Sequence, residues 1–301
     1  MPPHPPGMFV TLTCSAPSRL DSFVQGALAG LSRRVVRRLI AEGVVRVNDE
    51  PARKGRRLHP GDRVALPTLV PAVRPEPGLD LPVVHEDPVL IAIDKPGGMR
   101  GHALDPRETG TAAAFLVARY PELARVGDPL APGLVHRLDT GTSGLLLAVR
   151  TSAAYGAVRT AMRERAVEKR YLAVVLGTPR DTRVTAPLAH DPRDRRRMIP
   201  APPGARAWPA ETTIEVLTTH GRRTLLAATM RTGVTHQIRA HLALLGHPVL
   251  GDRVYGSPTP ELPEGRHALH AAAIALPHPA DGHPLRLTCP LPPDMEAVLQ
   301  G

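Results

Sequence analysis

Residues 133–149 constrain this chain more than any other stretch. They end in Leu145-Leu146-Leu147-Ala148-Val149, a short apolar run bounded by glycine and polar residues. Such a run predicts a fully buried strand. Directly before it stands His136-Arg137-Leu138-Asp139-Thr140-Gly141-Thr142-Ser143-Gly144. A carboxylate is thus set in a loop of small turn-formers, with an imidazole and a guanidinium on its N-terminal side. Taken alone, an aspartate in such a loop does no more than bond its own backbone.

The length of 301 residues allows one large domain or two ordinary ones, with ample material for a core. The formal net charge of +10 favours a polyanionic partner, nucleic acid ahead of an anionic membrane. No run of about 18 apolar residues occurs, so no membrane span is expected. Residues 1–8 lack the charged start and apolar core of a signal peptide and read as a short disordered tail. Cys14 and Cys289 lie far apart, without metal-ligand spacing, as reduced thiols of a cytoplasmic protein would. None of the fourteen histidines forms a His-Glu-x-x-His pattern, and His267/His270 has no acid or cysteine cluster beside it. No metal is expected.

Four segments follow: a tail and lead-in at 1–17, a small α/β module at 18–66, a linker at 67–82, and a larger domain at 83–301. In the module, Ser18 and the acid Asp21 look like a helix start, with Leu20, Phe23, Val24, Ala27 and Leu28 on one face and Gly30 as the stop. Ser32 caps a second helix, which turns Val35, Val36, Leu39 and Ile40 inward and ends at Gly43. Its outer face carries Arg33, Arg34, Arg37 and Arg38. A strand at 44–47, a turn at Asn48-Asp49, a second basic cluster (Arg53, Lys54, Arg56, Arg57) and a strand at 64–66 complete the unit. From Arg19 to Arg63, eleven basic residues face five acids, net +6. Arginine pairs one helical turn apart suit phosphate oxygens. With no aromatics on this face, backbone and shape reading of folded RNA is favoured over base stacking. The linker holds five prolines and should be extended and semi-rigid.

In the larger domain, strands are expected at 83–85, 89–93, 169–177, 212–217 and 224–230, and helices at 109–120 and 151–165. Residues 181–209, rich in proline and arginine, read as a mobile basic loop. His236, Gln237 and Arg239 fit the polar face of a helix whose apolar face is Ile238, Leu242 and Leu245. The expected architecture is α+β: a small α/β RNA-binding module, then a mixed, mainly antiparallel-sheet catalytic domain.

Several of these blocks together resemble the RluA-type pseudouridine synthases. The blocks are His136-Arg137-Leu138-Asp139 with the run after it, Lys95-Pro96-x-Gly98, Lys169-x-Tyr171-x-Ala173-x-Val175-x-Gly177, and Thr235-His236-Gln237-Ile238-Arg239 with Gly246-His247-Pro248-x-x-Gly251-Asp252. Residues 18–66 resemble the S-four-type RNA-binding module that often precedes such domains. The resemblance implies Asp139 as nucleophile, Arg239 as its pairing cation, and Tyr171 over a flipped base, taking the carbon-5 proton. It implies Arg137 filling the vacated space or holding the flipped nucleotide, and His136, Lys95, His236 and Gln237 at the substrate. Attack at ribose carbon 1 and at uracil carbon 6 both remain open. The reaction needs no cofactor. The implied partner is structured RNA, ribosomal before transfer RNA, bound by a monomer. Two departures stand out: Met99-Arg100-Gly101-His102 replaces apolar residues, and Val234 stands where the family has Arg or Lys. Two other readings predict different behaviour. A non-catalytic RNA-binding or ribosome-assembly protein would bind without base chemistry. A metal-dependent hydrolase or nuclease using His136, Asp139 and His241 would lose activity to chelators.

Overall fold

The apolar run is the body of the strand Ser143–Val149, whose seven residues are all buried. Burial on both faces follows from its composition, because alternate residues enter different cores. Leu145, Leu147 and Val149 join Leu90, Ala92 and the helix residues Ala154, Val158 and Ala161. Leu146 and Ala148 join Ile91, Ile93 and the helix residues Ala112 to Leu116. Helices Ser152–Arg163 and Ala112–Arg119 therefore cover opposite faces of the sheet. Each starts at a threonine, Thr111 or Thr151, whose hydroxyl accepts a backbone N–H three residues on, at 3.2 Å.

The structure, a computed structural model, describes residues 9–28, 33–67, 72–256 and 258–300. Its main sheet has nine strands. In order across it lie Thr182–Val184, Thr212–His220, Arg223–Met230, Glu168–Leu176, Leu269–Pro277, Ser143–Val149, Leu90–Lys95 and Val83–Glu86; Pro284–Thr288 pairs with the outer half of Leu269–Pro277. Among the described strands of this sheet, only Ser143–Val149 and Leu269–Pro277 run parallel, through Ser143↔His270 and Gly144↔Ala271. That one parallel contact brings the Asp139 loop beside residues 265–267.

The module folds on its own four-stranded sheet, ordered Phe9–Thr13, Arg63–Pro67, Arg46–Val47, Glu50–Pro51. Asn48 and Asp49 both have positive φ (53° and 68°), forming the two-residue turn between the last two strands. Helices Leu20–Ala27 and Arg33–Ala41 pack against this sheet through Val24, Val36 and Leu39.

Four expectations change. Residues 9–13, placed in the lead-in without an element of their own, pair residue for residue with Arg63–Pro67. The first helix begins at Leu20 without a side-chain cap, because Ser18 and Arg19 are held in a ladder with Arg57–Leu58. The proline segment is no free spacer over 72–82: Val73 and Leu81 are buried, and Val73 and Glu76 donate backbone N–H groups to Pro129 and Ala114. Finally, 181–209 holds the strands Thr182–Val184, Leu188–His190 and Met198–Pro200, anchored by buried Leu188 and Met198 against Ala240. The tail at 1–8, Gly30, Ser32 and the Arg34 side chain lie outside the described residues. No helix among the described residues is long and apolar enough to cross a membrane.

Candidate active site

Asp139 sits in the turn that leads into Ser143–Val149, where Thr142 N–H donates to the Asp139 carbonyl at 3.0 Å. Two features fix that turn. Arg266 is buried and donates to the carbonyls of Gly141 (2.8 Å), His267 (2.6 Å) and Leu269 (3.0 Å), and to the Ser143 hydroxyl. Thr142 Oγ1 and His267 Nε2 lie 2.8 Å apart. Glycine is required at two contacts. A Cβ on Gly97 would fall 2.2 Å from the Arg266 side chain, and one on Gly141 would fall 2.5 Å from the Gly265 carbonyl.

Arg239, in the helix Gln237–Leu244, donates from Nη1 to Asp139 Oδ2 at 2.8 Å. Its Nε and Nη2 fork onto Asp252 at 2.6 and 2.8 Å. Asp252 is wholly buried and also accepts the backbone N–H groups of Val254 and Tyr255. The guanidinium plane is therefore locked by Asp252, and its third edge is presented to Asp139. Tyr255 lies against it, 5.3 Å from ring centroid to guanidinium carbon.

Burial pushes the Asp139 carboxyl up, but the nearby positive groups and the Arg239 bond outweigh it and hold it below its ordinary value. His236 Nε2 lies 3.8 Å from Asp139 Oδ1. Burial lowers that imidazole, so it is neutral at pH 7. Arg239 is accordingly the charge that keeps Asp139 ionised there. His236 itself has φ 55° at the start of the helix, a left-handed conformation, and its Nδ1 lies 3.2 Å from the Tyr255 hydroxyl.

Two adjoining hollows share Asp139, Arg137, Leu138, His236 and Arg239 in their walls. The first, about 330 Å³, is also lined by Tyr171, Met162, Met230 and Leu269. The second, about 310 Å³, runs past Arg100, His102, Arg253 and His267. Asp139 thus stands on the partition between the two hollows. Tyr171 is buried, and among the described residues no hydrogen bond is made by its hydroxyl. Burial and the Asp139 charge raise its pKa well above the ordinary phenol range.

The other residues named from the sequence fall into two groups. Arg137 is exposed at the rim of both hollows. Lys95, His136 and Gln237 are engaged within the protein. Lys95 is fully buried, and its ammonium donates to the carbonyls of Pro96, Met99 and Thr140. Burial, then Arg266, lowers it to about 7. It braces the Asp139 turn against the 96–99 loop. His136 Nε2 accepts the Leu147 N–H at 3.0 Å, and burial with the Lys169 charge takes it down to about 3. Gln237 bonds Thr232, Val234, Thr212 and the Glu211 carbonyl, tying the helix to its neighbouring strands. Val234 packs on the cluster of Leu188, Met198 and Ala240. Asp252, Arg266 and Tyr255 were not singled out from the sequence. The Gly251-Asp252 pair was visible, but nothing in its spacing tied it to Arg239.

His136, Asp139 and His241 do not converge as a metal site: His241 faces Thr212 Oγ1 and the Ala186 carbonyl. Among the described residues the clustered metal-type ligands are His278, Asp281 and His283. Asp281 and His283 are exposed, and the three line neither hollow.

In the module, Arg33, Arg37, Arg53, Lys54 and Arg57 are exposed and Arg56 is half-buried. Arg33 and Arg37 line a shallow hollow with Arg19, and Arg19 pairs across the ladder with Arg57. Cross-strand partners share a face, so the two basic clusters form one surface. Arg38 is set apart, bonded to Glu42 at 2.9 Å and to Asp105 of the larger domain at 3.3 Å.

Comparison with known proteins shows which family the chain resembles. The profile of the RNA pseudouridylate synthase family matches residues 89–244, and that of the S4 domain matches residues 18–64. An RNA pseudouridine synthase of Chloroflexus aurantiacus is 41% identical over 285 residues, covering 94% of this chain and 89% of its own length. A ribosomal large subunit pseudouridine synthase D of Neisseria meningitidis serogroup A is 33% identical over 300 residues, covering 94% of this chain and 78% of its own. Among solved structures, human RNA pseudouridylate synthase domain containing 1 matches with a TM-score of 0.59 at 27% identity, covering 74% of this chain and 89% of that one. The chain belongs to the RNA pseudouridylate synthase family, as an isomerase of RNA that carries an S4-type RNA-binding module.

Proposed function

We propose that the protein isomerises specific uridines in structured RNA, large-subunit ribosomal RNA before transfer RNA, with Asp139 as the nucleophile. The observation that carries this is the Arg239 edge donating to Asp139 at 2.8 Å on the wall shared by two hollows. It keeps a carboxylate charged in a largely dry place. The ribosomal choice is supported by the large-subunit enzyme named among the relatives.

A uridine in folded RNA must be flipped out, at a cost of a few kcal/mol, and Arg137 at the rim is placed to hold the opened strand. Asp139 then attacks either ribose carbon 1 or uracil carbon 6. The bond from ribose to uracil nitrogen 1 breaks, the ring turns, and a bond from ribose to carbon 5 forms as Asp139 is released. The carbon-5 proton leaves to solvent through Tyr171, and nitrogen 1, freed of ribose, takes a proton in return, so the sum is an isomerisation. Burial and the Asp139 charge keep the Tyr171 phenol protonated while that charge persists, and a protonated phenol accepts no proton. Bonding of Asp139 to the substrate removes the charge, so Tyr171 ionises more readily after attack than before it, and its phenolate takes the carbon-5 proton.

The test is release of tritium from carbon 5 of uracil in labelled ribosomal and transfer RNA, with chelator present. Wild-type release and none from Asp139→Ala is the expected result. Release that persists in Asp139→Ala would remove Asp139 from the role. Tight RNA binding with no release from either RNA would favour the non-catalytic reading.

A further inference from the structure

Besides Arg239, the hollow beside Tyr171 is lined by five cations: Arg137, Arg159, Arg163, Lys169 and Arg231. Their surroundings differ. Arg231 is bonded to Glu168 at 2.8 Å, and Arg163 to the Thr160 hydroxyl. Lys169 is only 9% exposed, and its ammonium donates to one atom, the Thr232 carbonyl, at 3.4 Å. That is the long limit of a hydrogen bond. Arg159 donates one N–H to the Val135 carbonyl at 3.2 Å. Among the described residues neither cation has a carboxylate partner.

A buried ammonium with no counter-ion, next to a second cation, opposes folding. Two facts point to a ligand as the missing partner. Gly233 passes close to the ammonium: a Cβ there would stand 3.3 Å from Lys169 Nζ, so a side chain at that position would crowd the amine. Lys169 and Tyr171 are also two residues apart on one strand, regularly paired with Met230 and Ala228, and so share a face. A base lying near Tyr171 leaves its backbone within reach of Lys169.

We propose that Lys169 and Arg159 form a phosphate subsite, which takes a backbone phosphate of the RNA next to the uridine held at Asp139. The proposal deepens the reading that this cleft accepts a flipped uridine, and rests on it. Lys169 supplies a point charge at the cleft wall, and Arg159, exposed on the helix Ser152–Arg163, supplies a planar fork at its edge. Val234, where the family resemblance leads one to expect a cation, contributes no charge to the same wall.

The experiment measures binding of a large-subunit ribosomal RNA transcript by the full chain across a salt series, with tritium release followed in parallel. Lys169→Met and Arg159→Gln are compared with wild type. Each is expected to weaken binding roughly tenfold and to lower the slope of log affinity against log salt by about one. KM should rise more than kcat falls. Arg159 is exposed, so its variant reports even where Lys169→Met folds poorly. Unchanged slopes in both variants, or in Arg159→Gln alone where Lys169→Met does not fold, would overturn the subsite and leave Lys169 as a brace for the Thr232 carbonyl. Lowered slopes without tritium release by wild type would keep the anion site and sink the isomerase reading. Tritium release with unchanged slopes would sink the subsite alone.

Discussion

Arg239 and Arg37 are both arginines on short helices, yet opposite conditions govern them. Arg239 is 5% exposed, and three of its N–H groups are fixed by two carboxylates. Arg37 stands in solvent beside Arg33 and Arg19, in a module with more cations than acids. In the cleft, position is everything, because a charge that stabilises a reacting carboxylate must be set before the substrate arrives. On the module, position matters little. Phosphates are many and alike, and long cationic side chains adapt to them. One region is built for chemistry and the other for affinity, so their mutations should separate along those lines.

The sharpest test is Asp252→Asn. It removes half the charge that orients Arg239 and leaves a buried cation under-compensated. Turnover should fall on the order of 10²- to 10³-fold with little change in RNA affinity, because misplacement by about 1 Å is enough for such a loss. Thermal stability should fall too, by about 3 kcal/mol. Steady-state kinetics and thermal melts read both. A melt that shifts without any loss of kcat would make the fork a structural brace and blur the distinction drawn here.

The converse is neutralisation of the module surface: Arg33, Arg37, Arg53 and Arg57 together to Gln. These side chains are exposed, so folding should survive. Affinity for a ribosomal RNA transcript should drop about 10²-fold, and the salt slope should lessen by roughly three to four. The loss should appear in KM and not in kcat. A loss of kcat at saturating RNA would mean that the module also shapes the bound substrate in the cleft.

How much of this was readable beforehand follows from the same division. Residues 145–149 announce a buried strand by composition, and Asp139, Tyr171 and Arg239 stand in local strings that carry their own resemblance. Asp252 closes such a string too, Gly246-His247-Pro248-x-x-Gly251-Asp252, but nothing in that string ties it to Arg239. Aspartate in a Gly-Asp turn is usual turn chemistry, and only folding brings it to Arg239. Arg266 is harder still, since the partners through which it holds the Asp139 turn are chiefly backbone carbonyls, which every residue possesses. The strand Phe9–Thr13 was missed because its partner, Arg63–Pro67, lies some fifty residues on. Lys95, expected at the substrate, is fully buried and engaged within the protein, whereas His136 and Gln237 bond within the protein and also line the first hollow. Burial separates these roles, and a sequence string does not report burial.

His136 gives the smallest and most specific effect. Its Nε2 accepts the Leu147 N–H, so the ring must be neutral, and protonation would turn an acceptor into a donor facing a donor. Its folded pKa of about 3 lies below the unfolded value of about 6.5. Between those values the unfolded chain binds the proton and the folded chain does not. Stability is therefore greatest above pH 6.5 and declines as pH falls toward 3. The ring partly faces the cleft, so the loss between pH 6.5 and 4 should be only roughly 1–3 kcal/mol. In His136→Gln, whose amide oxygen can still accept the Leu147 N–H, that part of the slope should vanish. Denaturant melts of the two proteins across this range should converge at low pH. Parallel curves would mean that the ring takes up its proton without cost, and that the cleft is wetter than its buried neighbours imply.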